Sequence, residues 1–265
     1  MMLIVIPIVL RKEKTMKKLS LISLALASLI TFQAQADADK TIEKTFDLSG
    51  KGELLVDNVN GNVEITGWDQ NQISVKAIVT ADDEEDLENV DVKMRQSGNR
   101  VSIETDYKER GGWGSNNSGS VEYLIQVPVT TDLSEIDLVN GALSVDGVRG
   151  ELNADMVNGS IEASGLASNV EVDAVNGGIE LTFADDAKNI DIEVETVNGG
   201  IRIHLPEEFG AKVDASTGNG SIRTEFGLTG EKGKYYGTDL KGKFGDASSS
   251  LDLESVNGSI RVMKK

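Results

Sequence analysis

From residue 133 to the C-terminus, apolar and polar residues alternate in short runs, and one phrase interrupts them each time. It reads DLVNGALSV, DMVNGSIEA, DAVNGGIEL, ETVNGGIRI and ESVNGSIRV, with an earlier DNVNGNVEI and a variant STGNGSIRT. Counted from the shared asparagine, the positions six and four before it are apolar: Val170 and Val172, Ile192 and Val194, Val213 and Ala215, Leu251 and Leu253. Positions three and five after it are apolar as well: Ile161 and Ala163, Ile179 and Leu181, Ile201 and Ile203, Ile260 and Val262. A period of two on both sides predicts two half-buried strands per repeat. The valine just before each asparagine reads as a break in phase, so the chain is expected to bend there. Asn-Gly would supply positive φ at that corner.

The corner asparagines are Asn60, Asn140, Asn158, Asn176, Asn198, Asn219 and Asn257, at intervals of 80, 18, 18, 22, 21 and 38 residues. If the last interval holds two repeats, the period is about twenty residues, which suits one coil of a β-solenoid. Asparagine at every corner admits two readings: amides hydrogen-bonded in a column at strand spacing, or backbone tolerance alone. Residues 41–130 are less regular, with strand-like runs at 53–56, 62–65, 73–79, 90–94, 101–107 and 121–127. They are read as an irregular β N-terminal portion that caps the coils of 131–265 within one all-β domain. Pro206 suits the end of a strand. The closing lysines would discourage a further strand from adding to the last coil.

Residues 1–36 stand apart. From Met16 they run as two lysines, an apolar stretch Leu19–Phe32 and Ala34-Gln35-Ala36, the pattern of a secretory signal that predicts a mature start at Asp37. Met16 is read as the true start. Without residues 1–36 the charge changes from −18 to −22, because five cations and one acid leave with them (21 − 43). Such a surface disfavours nucleic acid and anionic lipid. The chain has no cysteine, so disulfides play no part. Past residue 36 no apolar run is long enough for a transmembrane anchor.

The segments VPVTTDL (127–133), the successive VNG coils from 139 to 203, STGNGSIRTEF (216–226) and LDLESVNGSIRV (251–262) resemble the bacterial putative adhesin family of β-strand-repeat envelope proteins. The resemblance covers essentially all of the chain after residue 36. It implies a β-solenoid and a location outside the cytoplasm. It brings no established activity, cofactor or catalytic residue.

Candidate chemistry is sparse. The one histidine, His204, is expected to face outward in a column with Thr182 and Glu225. Zinc sites of the His or Cys kind are excluded by composition, and no nucleophile elbow or phosphate loop is present. Carboxylates are the exception. Five residues before the asparagine stand Leu55, Glu135, Asn153, Glu171, Glu193, Asp214 and Asp252; three before it stand Asp57, Asp137, Asp155, Asp173, Glu195, Ser216 and Glu254. This face is read either as solvated or as a low-affinity Ca²⁺ site built from Asp137, Asp155, Asp173, Glu171, Glu193 and Glu195. Four residues past the asparagine, Glu64, Ser144, Glu162 and Glu180 give way to Arg202, Arg223 and Arg261, so Glu180 and Arg202 should meet.

Two stretches break the regularity: 109–120 with Trp113, and 229–246 with Lys232, Lys234, Tyr235 and Tyr236. Aromatic and basic side chains on loops are partner-binding candidates, or else cover for the core. The chain is therefore read as an exported, non-enzymatic envelope protein, an adhesin-like binding or structural module without cofactor, its partner an envelope protein or polysaccharide. A polysaccharide-active β-helix hydrolase or lyase is the rival, and a ligand-free stress-associated accessory the third reading.

Overall fold

The computed structural model describes residues 38–108, 119–232 and 237–265. Two long sheets face each other, ten strands in sheet I and eleven in sheet II. Each repeat gives one strand to sheet II, turns at Asn-Gly, and gives the next to sheet I. Equivalent strands stack parallel and in register, for example Val170–Asn176 on Leu152–Asn158 in sheet II and Ile179–Phe183 on Ile161–Leu166 in sheet I. Inward side chains such as Val172, Ala174, Ile179, Leu181 and Phe183 are buried between the sheets. Alternation thus places one apolar face per strand in a shared core, as a two-layer fold requires.

The order of coils in space is not their order in sequence. The stack begins with Arg100–Tyr107 and Ser120–Pro128, followed by Glu53–Asn60 with Val63–Trp68. The coils beginning at Asp132, Leu152, Val170 and Asp191 come next in sequence order. Then the C-terminal coil, Ser249–Asn257 with Ile260–Lys264, enters before Ala211–Asn219 with Ile222–Thr224. Asn257 therefore lies between Asn198 and Asn219 in register. The interval of 38 is an insertion, not two repeats. The closing lysines do not guard an edge: Ile260–Lys264 has strands on both sides. Edge protection falls instead to antiparallel strands. Thr238–Phe244 covers Ala211–Asn219, Val90–Ser97 covers Arg100–Tyr107, and Gln72–Ala81 and Ala38–Asp47 follow Ser120–Pro128.

The irregular N-terminal portion therefore supplies two coils of the stack as well as its cap. Every expected strand run there is a strand, and the sequence reading missed Ala38–Asp47 and the short helix Glu84–Asn89, whose cap Asp83 accepts from the Asp86 amide at 2.7 Å. Within this portion Tyr123 is wholly buried, its hydroxyl 2.7 Å from that of Thr105, and burial pushes its phenol pKa up to about 12.

The corner itself differs from expectation in two respects. Val139, Val157, Val175, Val197 and Val256 do not break phase. They occupy the next outward position of the strand and are 37–46% exposed. The bend follows the asparagine. Positive φ is also not the common requirement: Gly61, Gly141 and Gly159 have it, whereas Gly177, Gly199, Gly220 and Gly258 do not. What all seven share is crowding. A Cβ on any of them would stand 1.4–2.2 Å from a backbone carbonyl oxygen one coil away, as Gly177 would from that of Gly159.

Of the two readings of the corner asparagines, the hydrogen-bonded column is the one that forms. Each amide nitrogen donates to the side-chain oxygen of the preceding corner: Asn140 to Asn60, Asn158 to Asn140, Asn176 to Asn158, Asn198 to Asn176, Asn257 to Asn198 and Asn219 to Asn257, at 2.7–3.0 Å.

Candidate functional site

Successive outward residues of the sheet II strands form three columns that run along the stack beside the asparagine ladder. Nearest the ladder is the line of exposed valines. Two residues further from it, Asp57, Asp137, Asp155, Asp173, Glu195 and Glu254 follow one another in register, and Ser216 ends the line. Beyond them Asn153, Glu171, Glu193, Asp252 and Asp214 form a second acidic line. The carboxylates fall where the alternation predicted.

Between the valines and the first acidic line runs a shallow groove of about 450 Å³, with Leu138, Met156, Ala174 and Thr196 in its floor. At the position of Thr196, the neighbouring coils carry Ser255 and Thr217, whose hydroxyls donate to the carbonyls of Gly199 and Gly258 at 3.1 and 2.7 Å. The Thr196 hydroxyl, buried in the same setting, has no such partner among the described residues.

Cations stand at the ends of this face and not along its middle. At one end Glu104, beside Asp57 in register, meets Arg95 at 3.2 Å and Lys93 at 3.9 Å, and Arg100 meets Glu53 at 2.8 Å. At the other end Lys241 pairs with Asp214. From Asp137 to Glu254 the first acidic line makes no ion pair among the described residues. Partial burial, and then the neighbouring carboxylates, raise the pKa values of Asp57, Asp137, Asp173 and Glu195 above the ordinary 3.8 for Asp and 4.5 for Glu. The Ca²⁺ candidates Asp137, Asp155, Asp173, Glu171, Glu193 and Glu195 are thus spread along two lines. No group of three or more His, Asp or Glu among the described residues converges as a metal site.

The outer face of sheet I is mixed in charge. Glu180 and Arg202 meet at 3.5 Å as expected. The inserted coil places Arg261 between Arg202 and Arg223. His204 follows Thr182, but its next neighbour in the column is Met263, not Glu225. Its Nε2 is 3.1 Å from Glu180. Trp113, Lys234, Tyr235, Tyr236 and the side chain of Lys232 lie outside the described residues. The basic stretch around them is in part a capping strand, Thr238–Phe244, with Leu240 and Phe244 buried. Phe244 stacks on Phe226 at 4.2 Å.

The valine column was misread from sequence, although parity alone assigns it: the residue just before the asparagine lies an odd number of steps from the buried positions. Among the described residues no helix is long and apolar enough to cross a membrane.

The stacked two-sheet architecture recurs in a solved structure. A putative cell adhesion protein from Clostridium sporogenes ATCC 15579 superposes with a TM-score of 0.50 at 18% identity, over 86% of this chain and 100% of that one. A putative adhesin from Bacteroides fragilis NCTC 9343 gives 0.34 at 9% identity, over 84% of this chain and 97% of its own. A putative lipid binding protein from Parabacteroides distasonis ATCC 8503 gives 0.25 at 13%, over 85% and 97%. At 18% identity the first likeness concerns fold alone, and the other two superpose too loosely to carry an argument. Among curated proteins there is no match. The pattern of the Toastrack family, DUF4097, matches residues 129–263, a span that holds six of the seven Asn-Gly corners. The chain belongs to the Toastrack family.

Proposed function

We propose that this chain is an exported, non-enzymatic, adhesin-like module of the cell envelope that uses the outer face of sheet II to hold an envelope protein or polysaccharide. The observation that carries the reading is the valine column. Strands that face solvent on one side carry polar residues there. Here five exposed valines succeed one another down the stack, with no apolar partner covering them among the described residues. Contiguous exposed apolar surface of this kind is characteristic of binding faces. The signal-like residues 16–36, the resemblance to envelope proteins and the cell adhesion protein of similar fold support the location. Residues 1–36 act as the leader, and 37–265 form the working domain.

The test is retention of the protein on isolated envelope polysaccharide and on isolated envelope protein, compared with the variant Val157→Thr/Val175→Thr/Val197→Thr. Threonine keeps the β-branched shape and strand preference while making the face polar. Retention should fall at least tenfold with an unchanged melting curve. Equal retention of the folded variant would remove sheet II from the function.

A further inference from the structure

We propose that the groove of sheet II is the seat of a basic amphipathic helix lying along the stack, its apolar stripe on Val139, Val157, Val175, Val197 and Val256 and its cationic stripe on Asp137, Asp155, Asp173, Glu195 and Glu254. This rests on the binding role proposed for sheet II and names the partner that its geometry fits.

Charge complementarity is the first argument. The apolar and acidic columns are parallel and two residues apart on every strand, so an occupant that covers the valines necessarily meets the carboxylates. Those carboxylates are left without cations through the middle of the stack, while both ends are paired by Lys93, Arg95 and Lys241. The protein thus neutralises the rims of this face itself and leaves the centre to a partner.

Pitch is the second argument, and it selects a helix. Coils repeat at about 4.8 Å. A helix presents one side chain per stripe every three to four residues, about 5.3 Å along its axis. An extended peptide presents one every two residues, about 6.7 Å. From Asp57 to Glu254 the line spans five intervals, about 24 Å. Over that length a helical stripe drifts by about 2 Å and an extended one by about 9 Å. A helix of about 16 residues fills the line. The two acidic columns and the valines together span about 13 Å, close to the 10–12 Å width of a helix.

Other occupants fit less well. Phosphate-bearing polymers and anionic lipid are repelled by the acidic lines, a second copy would set acid against acid, and among the described residues no aromatic side chain lines the groove for stacking on a sugar.

The probe is an 18-residue Leu/Lys peptide with leucines at i, i+3, i+4 and i+7. It is compared with the same residues reordered to abolish the stripe, a strictly alternating Leu/Lys peptide, and a Leu/Glu helix. Fluorescence anisotropy at about 50 and 200 mM NaCl reads the affinity. The striped basic helix should bind at least tenfold more tightly than all three comparators. Val157→Thr/Val175→Thr/Val197→Thr should weaken it at least tenfold. Asp155→Asn/Asp173→Asn/Glu195→Gln should weaken it and flatten its salt dependence. Equal binding of the reordered or alternating peptide, or no loss in the valine variant, would overturn the inference. So would a dimer, or adsorption to phosphatidylcholine vesicles, that depends on the same valines while the helix does not bind. The two readings fail separately. Valine-dependent envelope retention without helix binding ends only the helix assignment, whereas helix binding with valine-independent retention ends only the envelope role.

Discussion

Each coil turns two corners, and the two are built on opposite rules. At the first, Asn-Gly recurs in seven coils, the amides bond in one ladder and each glycine lies against a carbonyl of the next coil. At the second, Phe183 to Asp191 and Leu205 to Ala211 share neither length nor sequence, and the core is sealed by whatever apolar side chain the loop provides: Val148, Leu166, Ala187, Ile190 or Phe209, all buried. Where backbone touches backbone, residue identity is dictated. Where a side chain plugs the gap, many loops serve, and the variable spacing of 18 to 22 residues between coils is absorbed there.

The sharpest way to break this contrast is Gly177→Ala. The new Cβ would stand 1.4 Å from the Gly159 carbonyl oxygen, so two coils must part. The expected loss is about 3 kcal/mol in urea unfolding, the upper range for overpacking. The adjacent Gly178 has its nearest contact at 3.9 Å, and the same place holds Ser160, Ser221 and Ser259 in other coils, so Gly178→Ser should leave the curve unchanged. A mild Gly177→Ala would dismiss close approach as the rule of the first corner.

Next in size is Asn176→Ala, which removes two ladder bonds, one given to Asn158 and one taken from Asn198. At about 0.5–1.5 kcal/mol for each bond, the loss should be about 2 kcal/mol. Asn219 ends the ladder with a single such bond, so Asn219→Ala should lose about half as much by the same measure. Equal losses would show that the amides act singly and not as a column.

A smaller effect, of opposite sign, belongs to the strand that leads into this corner. Asp173 repels its neighbours at strand spacing, each such pair being unfavourable by about 1 kcal/mol in water. Asp173→Asn should therefore stabilise the protein by about 1 kcal/mol at pH 7. Its native pKa is raised, chiefly by burial, so the folded state holds its proton more tightly than the unfolded chain does. Stability linked to this group is thus lowest at neutral pH, rises as the pH falls through the raised native value, and levels off below the ordinary 3.8. Melting curves from pH 7 to 4 should show the parent protein gaining on the variant. A constant gap would assign the effect to something other than proton linkage.

The smallest change should come from the second corner. Two glycines inserted between Asp185 and Asp186 lengthen an exposed loop whose ion pairs, Asp186 with Arg149 and Asp185 with Lys265, are on the surface. Loop closure and weakened pairing together should amount to about 0.5 kcal/mol. A loss as large as that of Gly177→Ala would erase the distinction between the corners.

Most of the regular stack was legible because strand alternation is a strong signal and registers such as Asp155 on Asp173 follow once the asparagines are aligned. The pairing of Glu180 with Arg202 followed in the same way. The valines were legible too, but an apolar residue beside a turn was read as a bend when parity made it a surface residue. The insertion of Ser249–Asn257 was not legible. Every coil carries the same inward and outward pattern, so the pattern does not say which coil is next to which. Nor was the reason for glycine, because the carbonyl that excludes a side chain belongs to another coil and has no signature in the local sequence.

The place of the C-terminal coil has a consequence for when the molecule can finish forming. A chain is made from its N-terminus, yet Ser249–Lys264 must occupy a slot between two coils made earlier, and Asn198 waits 59 residues for Asn257. At the other end Glu53–Trp68 needs Arg100–Tyr107 and Ser120–Pro128 on its outer side. Neither end can be zipped up coil by coil as residues appear. Such separated pairings are slow to form. Completion is deferred until residues 249–264 have been made and have entered their slot.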